Sequence, residues 1–167
     1  ERFGVESVVC DVGLVTNSLS DVEKRFIAAR PHDVEDWSML SLTFTDGTKA
    51  TIFSGDFVTG GVRNLVEFNT NTGTFACNMA PNDAMMSYAA DASVLKDVYL
   101  TEKVETNGGW QYVLLDEVSA RGYVQEAQDF MECVAMGREP VSGLDLARET
   151  IRVTYAGYLS AEEGVRI

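Results

Sequence analysis

The residues best suited to chemistry sit close together between Arg30 and Asp36. His32, the one histidine of the chain, is flanked by Arg30, Asp33, Glu35 and Asp36. An imidazole gains and loses its proton near neutral pH, so His32 could exchange a proton with a substrate hydroxyl. A guanidinium presents donors in a fixed fork, which makes Arg30 a candidate clamp for a hydroxyl or carboxylate. Asp36 completes the candidate substrate-binding set. The plainer readings are a solvated loop histidine and a surface ion pair of Arg30 with Glu35 or Asp36.

Asp33, Glu35 and Asp36 could be imagined around a divalent cation. Oxygen-only sites draw ligands at regular spacing from a tight loop containing glycine, which this stretch lacks, so no metal is expected. Tyr123, Tyr155 and Tyr158 stand at helical spacing and read as packing residues. Ser160 has no His nearby in sequence, so it carries no hydrolase signature. No residue of the chain is assigned a catalytic role.

The elements that must position these groups can be read from periodicity. Val8, Cys10, Val12 and Leu14 alternate within Val5 to Val15, as in a strand with one buried face. Asn17 to Pro31 is polar and charged and reads as a surface loop, of a length typical of functional loops. Leu40, Leu42 and Phe44 share one face of a strand from Trp37 to Phe44. Ala50, Ile52 and Ser54 continue a second strand beyond Thr45-Asp46-Gly47-Thr48, where Asp-Gly supplies the positive φ of a hairpin turn.

Arg63 to Phe68 and Thr74 to Asn78 predict another strand pair around an Asn- and Gly-rich turn. Between Ala80 and Gly109 the pattern weakens; a strand within Val94 to Val104, containing Val98 and Leu100, is the reading adopted, followed by a strand from Trp110 to Leu115. The C-terminal third changes period. Val124, Ala127, Phe130, Met131 and Val134 predict a helix from about Ser119 to Met136, capped by Gly137 and stopped by Pro140. Ser142 with Asp145 resembles the start of a second helix whose stripe is Leu144, Ala147, Ile151, Tyr155 and Tyr158, ending at Gly164.

Strands first and helices last predict an α+β fold, a largely antiparallel open sheet covered on one face by helices. Trp37, Met39, Phe53, Val66 and Phe68 put apolar groups on both faces of the strands. The uncovered face is therefore expected to bury itself against a partner domain or to dimerise.

Length and composition bound the rest. The 167 residues suit a single domain, 1–167, and the 46% hydrophobic and 23% charged content is that of an ordinary globular chain. A formal charge of -13 repels a phosphate backbone and an anionic membrane surface, so neither nucleic acid nor membrane is an expected partner. Cys10, Cys77 and Cys133 are odd in number and widely spaced, which suits a reducing cytoplasm. The first residue is Glu1 rather than Met, which raises the expectation that the chain is part of something longer.

The last third, from Gln125-Glu126-Ala127-Gln128-Asp129-Phe130 through Gly137-Arg138-Glu139-Pro140 to Ser160-Ala161-Glu162-Glu163-Gly164, resembles the C-terminus of the Gfo/Idh/MocA oxidoreductases, the glucose-fructose oxidoreductase and inositol dehydrogenase relatives. Glu35-Asp36-Trp37 leading to Asp46-Gly47, and Arg2-Phe3-Gly4 before Val8, resemble the same family further upstream. That resemblance implies a two-domain enzyme in which an N-terminal Rossmann domain binds NAD or NADP. The C-terminal domain closes the cleft for a sugar, polyol or related hydroxy compound and forms homo-oligomer contacts.

Only the second domain is matched here. The Gly-x-Gly-x-x-Gly turn that cradles a dinucleotide, the Glu-Lys-Pro motif and the Asp-x-x-x-His motif are all absent. The chain is thus expected to bind no cofactor itself and to lack the Rossmann domain. The competing reading is a free-standing, non-catalytic binding or dimerisation module descended from the same domain.

Overall fold

The computed structural model describes residues 4–27, 33–57, 59–79, 85–100, 104, 106–113 and 116–167. In chain order it contains strands β1 (Val5–Gly13), β2 (Trp37–Phe44), β3 (Lys49–Gly55), β4 (Leu65–Asn69), β5 (Thr74–Asn78), β6 (Met85–Ala89) and β7 (Gly109–Val113), then helices α1 (Glu117–Ala120), α2 (Tyr123–Met136) and α3 (Leu144–Glu163). The described chain falls into two compact units. Residues 1–58 and 141–167 form one, and 59–140 the other.

In the first unit β1, β2 and β3 form an antiparallel meander in that order. Alternation decides which residues face which way. Val8 pairs with Leu42 and Cys10 with Leu40, while Leu42 pairs with Ala50 and Leu40 with Ile52, so these apolar positions share one face. The β2–β3 turn follows the Asp-Gly expectation. Gly47 takes φ +87°, and Asp46 accepts a bond from the Thr48 amide at 2.9 Å. Only a residue without Cβ adopts that φ at little cost.

Helix α3 packs on β1. Gly157 faces the sheet here, where a Cβ would make ordinary contact with Leu40 at 3.4 Å and the Cys10 sulfur at 3.5 Å. Val8, Cys10, Leu42, Gly157 and Ser160 make up the buried centre of this unit. The last residues complete the sheet: Ile167 exchanges backbone hydrogen bonds with Val8 at 2.7 and 3.0 Å, which covers the outer edge of β1 at that point.

The second unit contains a β4–β5 pair, a β6–β7 pair, α1 and α2. Phe68 faces Phe75 across β4–β5, and Tyr88 lies beside Trp110 with ring centroids 5.3 Å apart. Ala89, Leu100 and Val113 are its buried apolar residues. The α+β assignment with antiparallel, open sheets thus holds, although the described strands divide into three sheets rather than one.

Four local expectations need correction. The strand read within Val94 to Val104 is absent from the described part of that stretch. Ala92–Leu95 is a 3₁₀ turn started by Asp91, whose carboxylate accepts the Ser93 amide at 2.8 Å. Short polar side chains that bond the local backbone compete with strand pairing. Strand β6 instead precedes that turn, with β7 as its partner.

The helix expected from about Ser119 is interrupted, because Gly122 at φ +83° separates α1 from α2. Ser142 caps nothing: the N-cap of α3 is Gly143, without a side-chain bond. Lastly, most of the stripe assigned to α3 points away from the sheet, with Leu144, Ile151 and Tyr155 exposed, although Tyr158 lines a cavity over it. The sheet receives the small face containing Val153, Gly157 and Ser160 instead. Gly137 and Gly164 do end their helices in the left-handed conformation, as expected.

Candidate functional site

The segment singled out for chemistry enters β2 from the polar loop, and its end is built around Asp36. This residue is 3% exposed. Its carboxylate accepts the amides of Val15 at 2.7 Å and Thr16 at 3.0 Å. Its own amide donates to Gly13, and its carbonyl accepts from Asp56. Asp36 therefore ties the end of β1, the start of β2 and the exit of β3 to one point.

Burial would raise the Asp36 carboxyl above its ordinary value. Hydrogen bonds from Thr16 and from the Val15 and Thr16 amides outweigh it and hold the group below the usual carboxylate range. Its two oxygens are already engaged by this turn. Arg30 and His32 lie outside the described residues.

One residue before Asp36, Glu35 accepts a short hydrogen bond from the Tyr158 hydroxyl, across 123 positions of sequence. This bond, together with burial, raises the Tyr158 hydroxyl above its usual value, so the phenol stays protonated at neutral pH. The pair offers a carboxylate acceptor and a neutral hydroxyl side by side. Nothing local in the sequence announces it, since Tyr158 lies in the final helix and Glu35 in a loop.

Glu35 and Tyr158 stand at one end of a cavity of about 520 Å³ within the first unit. Cys10, Val12, Leu40, Leu42 and Ile52 form much of its apolar floor on the sheet, and α3 supplies a wall from Leu146 to Tyr158. Ser38 and Ser54, opposite one another on β2 and β3, also line it. Beneath this end Ser160 is buried; its hydroxyl accepts the Cys10 amide at 3.1 Å and donates to the Val165 carbonyl at 2.6 Å. Burial pushes the Cys10 thiol up, which makes it a packing group at neutral pH rather than a nucleophile.

On the opposite face of the same sheet, Val9, Met39 and Phe53 are exposed, Phe53 by 61%, and Trp37 meets Phe53 edge-on at 6.3 Å. Of the anticipated apolar set, Trp37, Met39 and Phe53 lie on this face, whereas Val66 and Phe68 stand on β4, in a separate sheet of the other unit. Among the described residues no three His, Cys, Asp or Glu side chains converge as they would around a metal, and no described helix is long and apolar enough to cross a membrane.

No protein-family model matches the sequence, and no curated protein matches it. Solved structures do match the fold. The chain is similar to GenD2 from gentamicin A biosynthesis, solved with NAD, at 20% identity and TM-score 0.79, covering 98% of this chain and 41% of that one. A probable dehydrogenase from Thermotoga maritima matches at 16% identity and TM-score 0.67, covering 99% and 43%. Myo-inositol 2-dehydrogenase from Lactobacillus plantarum matches at 15% identity and TM-score 0.67, covering 99% and 42%. The chain thus has the fold of the C-terminal domain of Gfo/Idh/MocA-type dehydrogenases and spans about two-fifths of their length.

Proposed function

We propose that this chain is the substrate-facing and subunit-contacting domain of an NAD(P)-dependent oxidoreductase acting on a sugar, polyol or related hydroxy compound, working beside a Rossmann domain that binds the nucleotide. The observation that carries the reading is the fold match over 98% of the chain to two-fifths of a dehydrogenase solved with NAD. Matches to a myo-inositol 2-dehydrogenase and to an aldose-aldose oxidoreductase support hydroxylated substrates. Three free thiols and a charge of -13 suit a cytoplasmic protein that meets neither nucleic acid nor membrane.

Hydride transfer needs a nicotinamide and a proton carrier at one carbon, and neither group is assigned to this chain. Its part is to line the cleft. The loop ending at Asp36 brings Arg30 and His32 to the substrate: Arg30 donates to substrate oxygens, and His32 donates or accepts at a hydroxyl. Asp36 contributes by holding the loop, its carboxylate accepting the backbone amides of Val15 and Thr16. The exposed Val9, Met39 and Phe53 face mates with a second copy, an arrangement in which one patch serves both partners.

The test is steady-state oxidation of a polyol and sugar panel with NAD and NADP by the natural polypeptide that carries this domain. Reduced nicotinamide should form, and Arg30→Ala should raise KM several-fold with a smaller effect on kcat. The isolated 167 residues should bind NADH no better than millimolar. Micromolar NADH binding by the isolated chain, or no turnover of any hydroxy compound by the folded natural protein, would sink the reading. The second outcome would favour a non-catalytic binding or dimerisation module.

A further inference from the structure

The loop between β1 and β2 is tied at its base by Asp36, whose carboxylate accepts the amides of Val15 and Thr16 while its own amide donates to the Gly13 carbonyl at 3.0 Å. These bonds join the two ends of the loop to each other. They fix where the chain enters β2, and a second anchor is needed to fix the direction from which it arrives. Glu35, the preceding residue, supplies that anchor by accepting the hydroxyl of Tyr158.

Tyr158 stands on a firmly held part of α3. Gly157, beside it, is buried facing Leu40 and Cys10. Two residues further on, the buried Ser160 accepts the Cys10 amide and donates to the Val165 carbonyl. The Tyr158 ring is braced in turn by Tyr155, about one helical turn earlier, which meets it edge-on with centroids 6.3 Å apart.

The hydroxyl keeps its proton at neutral pH, because the bond to Glu35 and burial both raise it, and so it remains a donor. Tyr158 is 41% exposed, so removing its hydroxyl spares the packing of the unit. A chain segment held in its bound course beforehand need not be ordered when a ligand arrives, and affinity rises accordingly. A side chain that holds such a segment works best from a rigid element, as this one does.

We propose that Tyr158 is a positioning residue for substrate binding: by holding Glu35 it fixes the course of residues 33–36, through which the loop is presented to the substrate. The inference rests on the oxidoreductase reading above.

In the natural polypeptide that carries this domain, Tyr158→Phe should raise KM for the hydroxy substrate about three- to ten-fold and change kcat less than about two-fold. Glu35→Ala should do the same, and it carries the test if Tyr158→Phe misfolds by circular dichroism. Glu35→Gln, which keeps an acceptor oxygen, should recover most of what Glu35→Ala loses. Tyr158→Phe combined with Glu35→Ala should be no worse than the worse single variant, since both remove one bond. In the 167-residue chain, Tyr158→Phe should speed hydrogen exchange at the Val15, Thr16 and Asp36 amides about five-fold or more, with the amides that pair β1 to β2 unchanged.

An unchanged KM in folded Tyr158→Phe overturns the proposal, as do single effects that multiply in the double variant. Equal losses in Glu35→Gln and Glu35→Ala also overturn it, because they assign the effect to the charge of Glu35 rather than to its bond with Tyr158. If the native protein turns over no hydroxy compound, the oxidoreductase reading fails, and hydrogen exchange decides the role of Tyr158 by itself. Faster exchange then upholds the anchor, and unchanged exchange removes it.

Discussion

Two buried oxygen-bearing side chains hold the first unit together at the scale of single residues. Asp36 accepts the backbone amides of Val15 and Thr16, and Ser160 bridges Cys10 to Val165. Removing one acceptor leaves its donors desolvated and unpaired, at about 1–3 kcal/mol each. Asp36→Ala should therefore lower the free energy of unfolding by about 3 kcal/mol in urea titrations, while Asp36→Asn, which keeps one acceptor oxygen, should lose less. A fall below about 1 kcal/mol for the alanine variant would contradict the assigned role.

The same group makes stability depend on pH. Because the folded carboxyl lies below its ordinary value, the contribution of Asp36 is present in full above the unfolded value of about 3.9 and is lost as pH falls through the lower folded value. Urea midpoints measured from pH 7 down to 2.5 should drop more steeply for the native chain than for Asp36→Asn below about pH 4. Parallel curves would assign the acid sensitivity to other carboxylates.

Glycines set how the elements meet. Gly157 lies on the face of α3 that meets the sheet, and an added methyl would make ordinary contacts with Leu40 and Cys10. Gly157→Ala should thus be neutral or stabilising by up to about 1 kcal/mol through helix propensity, whereas Gly157→Leu should destabilise by about 2 kcal/mol or more through overpacking. Gly122, at φ +83°, behaves differently. Alanine there must adopt a left-handed conformation and should cost about 1 kcal/mol, read as a lower midpoint of thermal unfolding. If Gly122→Ala stabilises, α1 and α2 merge into the continuous helix that periodicity alone suggests.

At the scale of the whole molecule, large apolar side chains remain uncovered on both sides of the first sheet and along the helices. Phe130, Met131 and Val134 on α2 and Ile151 and Tyr155 on α3 are all exposed. Exposed apolar side chains gathered on a helix face mark contact with another surface. Light scattering at increasing concentration should show self-association of the chain, and Phe53→Lys, at the centre of the Val9 and Met39 face, should shift it towards monomer. A native chain that stays monomeric at high concentration removes the case for subunit contacts through that face.

Much of the architecture was readable before any coordinates, and the reason is locality. Period-2 alternation placed β1, β2 and β3 to within two residues, Asp46-Gly47 located its turn, and Gly137 and Gly164 marked where α2 and α3 stop, since each feature depends on neighbours a few positions away. The errors arose where two local rules competed, as at Asp91, whose side chain starts a 3₁₀ turn, and at Gly122, which interrupts an otherwise continuous stripe. The face of α3 that meets the sheet could not be read this way. Hydrophobicity favours Leu144, Ile151 and Tyr155, but close approach to β1 selects small residues, and only the tertiary arrangement imposes that demand. The pairing of Glu35 with Tyr158 and the clamp of Ser160 on Cys10 were likewise invisible, because a hydrogen bond spanning 123 or 150 residues leaves no periodic trace and exists only once the chain has folded back on itself.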